Sequence, residues 1–396
     1  MSAATSLREI ARQLDDPESL GRALDELLAD PPILFALGES THGIEAFPLL
    51  RNEILAHLVE RGYRSIALEI DIFAASLVDD YANGAAAEID EVLATGFSHG
   101  FGAIPGNREL VEWLRSHNAG RAPRNRVRFY GFDAPLETYF APSPRCALFS
   151  VNDYLPAALR PESVRDLDAL LGEDADWTNE AAMFDSAESI GDSDRARALR
   201  IIADDLASVQ RRAAPGLRTA DPTGYDHAVA CARTAQGLLR YHAAIARSAP
   251  DRIETLLSVR TEMMAENLLA ILARERGRGP SMVFAHNHHL QRHPSTGASW
   301  GSAGALVELT LGGRYVFVAT DAKPGSVPGT LQGVLAEATT RRALFPAPAL
   351  RAALPPSTGT AEPIVSGHLP LHPQEVGLAD AVIFIADTDG KQYKYW

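Results

Sequence analysis

With 396 residues, 46% of them hydrophobic and 22% charged, the chain has the balance of a globular protein able to bury a large core. A formal net charge of -14 disfavours nucleic acid, because phosphate binding needs a clustered basic surface and the arginines from Arg121 to Arg128 read as a solvated loop. No run reaches the ~20 apolar residues of a membrane span, Met1 to Leu14 lacks a signal-peptide core, and Cys146 and Cys231 are too few for a disulfide scaffold; the expectation is a cytoplasmic protein without nucleic-acid or membrane partners.

Residues 1 to 30 carry Leu7, Ile10, Leu14, Leu20, Leu24 and Leu27 at helical spacing, interrupted near Asp16-Pro17. Ile33 to Leu37 is an apolar run that stops at Gly38-Glu39-Ser40-Thr41-His42-Gly43, the pattern of a buried strand entering a functional turn. Phe47, Leu50, Ile54 and Leu58 then predict a helix, and Ser65 to Leu68 a second strand ending on Glu69. Leu110, Val111 and Leu114 mark a helix that closes near His117-Asn118; before it, Gly96 to Gly102 reads as a flexible connection with none of the context of a nucleotide loop. Val127 to Phe132 is a third strand with Asp133 at its end. From about Pro142 to Asp251 the spacing is helical, as it is again from Asp251 to about Arg276. Ser281 to Ala285 forms a fourth strand that runs into His286-Asn287-His288-His289, followed by strands over Tyr315 to Ala319 and Ala381 to Ala386. Pro346 to Pro363 reads as a long surface loop.

This order predicts an α/β protein whose mostly parallel central sheet is flanked by helices. Residues 1–141 form the first part of the core, 142–250 a helical insertion or lid, and 251–396 the second part. In such a sheet Glu39, His42, Glu69, Asp133, His286 and His289 emerge at the carboxyl edge, where open α/β sheets bind ligands. A His between carboxylates is suited to activate water, and further imidazoles to protonate a leaving alcohol. Arg51 serves either as a structural partner of Glu39 or Glu69 or as a guanidinium facing an oxyanion. Two rivals stand beside that reading. Ser40 follows a strand as a nucleophile would, although the glycine pattern of a nucleophile elbow is broken by His42. His286, His288 and His289 with Glu39 and Glu69 offer ligands to a metal, without a helical His-x-x-x-His or paired cysteines. His99, His117, His227, His242, His293, His368 and His372 are assigned to the surface or to packing.

Gly38-Glu39-Ser40-Thr41-His42-Gly43, Arg51, Ala67-Leu68-Glu69, Phe129 to Asp133, Arg260 with Met264-Ala265-Glu266-Asn267, and Ala285 to His289 together resemble the erythromycin esterase family. The resemblance implies a hydrolase that opens an ester or macrolactone with histidine-activated water and uses neither cofactor nor metal. On it, His42 is the general base, with Glu39, Arg51, Glu69, His286 and His289 completing the catalytic set. Asp133, Arg260, Glu266 and His288 then contact a small-molecule substrate. The chain departs from the family's pattern at Thr261, Ala303 and Ile104-Pro105, in substrate-shaping territory. A natural-product biosynthetic enzyme on the same scaffold, catalysing cyclisation, acyl transfer or elimination, is the alternative; a metal-dependent hydrolase is the second.

Overall fold

A computed structural model describes residues 3–292, 300–323 and 327–393; His293 lies outside them. The described residues divide into two compact units, one of residues 1–132 with 268–396 and the other of residues 133–267.

The first unit is built on a mixed sheet with eight strands among the described residues: β1 (Arg12–Gln13), β2 (Leu34–Glu39), β3 (Ser65–Asp71), β4 (Arg128–Asp133), β5 (Ser281–His286), β6 (Tyr315–Ala322), β7 (Arg342–Pro346) and β8 (Ala381–Ile385), in the order β1-β7-β8-β6-β2-β5-β3-β4. The apolar runs seen in the sequence are the central strands. β2 pairs in parallel with β5 and β6, β5 with β3, and β6 with β8, and every residue of β2, β5 and β8 is buried. Strands covered on both faces are uniformly hydrophobic for that reason. Register places Glu39 directly beside His286, which brings two residues 247 positions apart in the chain into lateral contact.

The helix Ala46–Glu60 buries Phe47, Leu50, Ile54, Leu55 and Leu58 in the main core with Phe35, Leu68 and Phe129. Each such side chain contributes about 1.5–3 kcal/mol of transfer free energy. The helix Pro105–Asn118 adds Leu110, Val111 and Leu114 to the same core. Three features depart from the sequence expectation. The lead-in is interrupted by β1, which pairs antiparallel with β7. β7 itself runs antiparallel between β1, the edge strand, and β8. The stretch read as a loop from Pro346 begins with the helix Ala347–Ala353, whose proline stands in the first turn, where its missing N–H leaves no bond unmade.

The second unit is helical: Arg145–Tyr154, Asp194–Ala220, Pro222–Ile245 and much of Arg252–Glu275. Leu238, Tyr241, Ile245, Leu256 and Met263 form its own core. No described helix is long and apolar enough to cross a membrane.

Candidate active site

The turn after β2 is held from several sides. Gly38 lies against Asn287, and a Cβ on it would fall 2.1 Å from Asn287 Oδ1. Asn287 donates to the Thr320 carbonyl at 2.8 Å and accepts the Thr320 N–H at 3.2 Å, while Thr320 Oγ1 donates to the Gly38 carbonyl at 2.7 Å. These bonds lock β2, β5 and β6 together directly beneath the turn. The Ser40 carbonyl beyond it accepts the Leu369 N–H at 2.9 Å and bonds His286 Nε2 at 3.2 Å.

His42 Nδ1 donates to Glu39 Oε1 at 2.7 Å, a charge-assisted bond that leaves Nε2 as the basic nitrogen. That nitrogen stands 3.8 Å from Glu69 Oε2. Glu69 also accepts the His286 backbone N–H at 2.9 Å and lies 3.1 Å from His289 Nε2. Glu39 and Glu69 are each 5% exposed. Burial pushes the Glu39 carboxyl above the ordinary glutamate range, with the His42 bond opposing it.

His286 is committed at both nitrogens. Nε2–H donates to Ser40, so Nδ1 is an acceptor and receives the His288 N–H at 3.2 Å. Burial holds its pKa well below 6.5. These two backbone bonds hold the His286 imidazole in one orientation. His289 touches the Glu69 carboxylate instead, so of the two imidazoles it is the one linked to His42 through a shared acceptor.

Arg51 is 1% exposed, and its bonds go to Asn52 Oδ1 (3.0 and 2.8 Å), Asn107 Oδ1 (2.7 Å) and the Gly106 carbonyl (2.9 Å). Its guanidinium lies 5.0 Å from the Phe284 ring centroid. Burial lowers its pKa to about 9, with Glu39 and Glu109 acting in the opposite direction. At neutral pH it is still a cation. Glu39, His42, Arg51 and Glu69 line one cleft, walled by Pro48, Leu68, Ile70, Phe101, Ile104 and Phe284.

The structure therefore gathers Glu39, His42, Arg51, Glu69, His286 and His289 into one place. His288 stands beside them, its Nε2 3.6 Å from Glu375 Oε1. Asp133, Arg260 and Glu266 belong to the other unit. Asp133 is fully buried and receives two bonds from Arg260, at 3.0 and 2.5 Å, and burial raises the Glu266 carboxyl above its ordinary range. The sequence reading missed Asn107 and Phe101. The Gly96 to Gly102 stretch is not a bland connection: the Phe101 ring lies 4.7 Å from the His42 ring. His368 is completely buried against Asp321, at 2.9 Å. Among the described residues no group of three or more His, Cys, Asp or Glu side chains is arranged to hold a metal ion.

The family model for erythromycin esterase matches residues 58–348. Glu69, His286 and His289 lie within that span, whereas Glu39, His42 and Arg51 precede it. No curated protein matches the chain. Solved structures share its fold. A Bacillus cereus protein is 16% identical, with 97% of this chain covered, 96% of that one, and a TM-score of 0.74. A succinoglycan biosynthesis protein is likewise 16% identical over 97% and 96%, with a TM-score of 0.64. A mutant of the erythromycin esterase EreC in its open conformation is 19% identical over 96% of each chain, with a TM-score of 0.68.

Proposed function

The chain belongs to the erythromycin esterase family, and from that premise we propose that it hydrolyses an ester or lactone of a bulky, largely apolar small molecule with water activated by His42. The observation that carries this reading is the run of contacts from Glu39 through His42 to Glu69 and on to His289, at 2.7, 3.8 and 3.1 Å. The first is a hydrogen bond that fixes the tautomer. The second is too long for a direct bond and suits a water held between His42 Nε2 and Glu69.

The water oxygen attacks the substrate carbonyl carbon while His42 Nε2 takes one of its protons. The new imidazolium is flanked by two carboxylates, Glu39 and Glu69, which stabilise it. The carbonyl oxygen becomes an oxyanion, and Arg51 is the cation lining the cleft that can stabilise it. Collapse of the tetrahedral species breaks the acyl C–O bond, and His42 returns the proton to the departing alkoxide. The products are an acid and an alcohol, one water heavier in sum than the substrate. The apolar wall of Pro48, Leu68, Ile70, Phe101, Ile104 and Phe284 favours a hydrophobic body around the scissile carbonyl.

Incubating the protein with a panel of macrolides, smaller lactones and esters in oxygen-18 water tests this. One substrate should gain one water, with the label in the carboxylate. Turnover to a product of unchanged mass, or one lighter by a water, would replace the proposal with cyclisation, transfer or elimination on the same scaffold.

A further inference from the structure

We propose that Asn107 is a positioning residue that sets both the cation and the aromatic wall of the site, through two bonds made by one buried amide. Asn107 is 4% exposed. Its Oδ1 accepts from Arg51 Nη1 at 2.7 Å and its Nδ2 donates to the Phe101 carbonyl at 2.8 Å. A guanidinium only donates and a carbonyl only accepts, so the amide has one orientation. It stands in the first turn of the helix Pro105–Asn118, where the preceding Gly106 carbonyl also receives Arg51. One helix start thus fixes the guanidinium from two adjacent residues.

The other bond reaches the loop that bears Phe101. That ring lies between two imidazoles, 4.7 Å from His42 and 5.4 Å from His99. The backbone leading to it is strained. His99 has φ 59 and Gly100 φ 69, and a non-glycine residue in the left-handed region persists only where its surroundings hold it there. The Asn107 bond to the Phe101 carbonyl is one such restraint. Loss of the amide would free the Phe101 wall from the face of His42 and leave Arg51 with one acceptor fewer in a buried setting, so the base and the cation would both lose their alignment.

The role of Asn107 in catalysis rests on the hydrolase reading above, while its role in geometry does not, and the experiment separates them. In Asn107→Ala, kcat on a hydrolysed ester should fall about 10²-fold, the scale of a small misplacement at a reacting centre, with KM little changed. The NMR resonances of the His42 ring protons, displaced in the wild type by the ring current of Phe101, should move towards ordinary histidine positions. Asn107→Asp keeps an acceptor for Arg51 but has no donor for Phe101. It should recover much of the thermal stability lost in Asn107→Ala, without restoring the His42 ring-current shift. An unchanged His42 spectrum in both folded variants, or kcat within about twofold of wild type in Asn107→Ala, would overturn the inference. If no ester is hydrolysed by the wild type yet the His42 shift depends on Asn107, the hydrolase reading fails and the positioning role stands.

Discussion

The proposed hydrolysis asks His42 and Arg51 for opposite charge states. His42 must be neutral at Nε2 to accept a proton, and it must do so beside a Glu39 carboxylate that burial pushes up. Arg51 must stay cationic although burial lowers its pKa to about 9. The signs give a bell-shaped profile. As pH falls, Glu39 gains a proton and activity is lost, beginning above the range in which an ordinary glutamate titrates. As pH rises through about 9, Arg51 loses its charge and activity falls again. We predict that kcat/KM, which reports free-enzyme groups, shows this basic limb, and that Arg51→Lys displaces it. A wild-type profile flat well beyond pH 9, or a limb unmoved by the substitution, would remove Arg51 from the assignment. Glu39, Ser40 and His42 were legible in the sequence because they crowd one turn after an apolar run. The Arg51–Asn107 bond was not, because it joins residues 56 positions apart on two helices. The pairing of His368 with Asp321 hid for the same reason, across 47 positions.

Among the elements, the buried parallel strands announced themselves by composition, whereas β1 and β7 did not. β1 is two residues long and polar, and β7 is bracketed by Arg342 and Pro346, with prolines following that read as loop. β1 is the edge of the sheet and β7 lies next to it, and strands this short carry too few residues for a clear periodic signal. In the helical unit, the helix Pro222–Ile245 carries a buried group with a consequence for stability. His242 donates from Nε2 to the Pro142 carbonyl at 2.9 Å and meets the Trp177 ring edge-on at 5.0 Å. Burial lowers its pKa to about 4, from an ordinary value of 6.5. The unfolded chain therefore binds a proton between these values that the folded chain refuses. The stability linked to this group is fully present above about pH 6.5 and is lost as pH falls towards about 4, by about 3 kcal/mol in total. Thermal unfolding followed from neutral to mildly acid pH should show a shallower acid slope in His242→Phe than in the wild type. Equal slopes would mean that His242 is not buried as a neutral ring.

For the whole molecule, the alternation of strands and helices announced an α/β fold, and the motif order announced the family that residues 58–348 match. The strand order could not be read, because it depends on which crossovers pass which face, and nothing local in the chain encodes that. Yet the strand order is what makes the site: β5, the fourth of the strands visible in the sequence, inserts between β2 and β3 and so brings His286 beside Glu39 and Glu69. We propose that the assembled edge works through one base, His42. The most direct test is the turnover of His42→Asn on the best-hydrolysed ester, with circular dichroism and thermal unfolding as controls for the fold. General base catalysis is worth about 10²–10⁴-fold, so kcat should drop by at least about 10² while the fold is retained. A folded His42→Asn protein that turns over at near the wild-type rate would rule out His42 as that base.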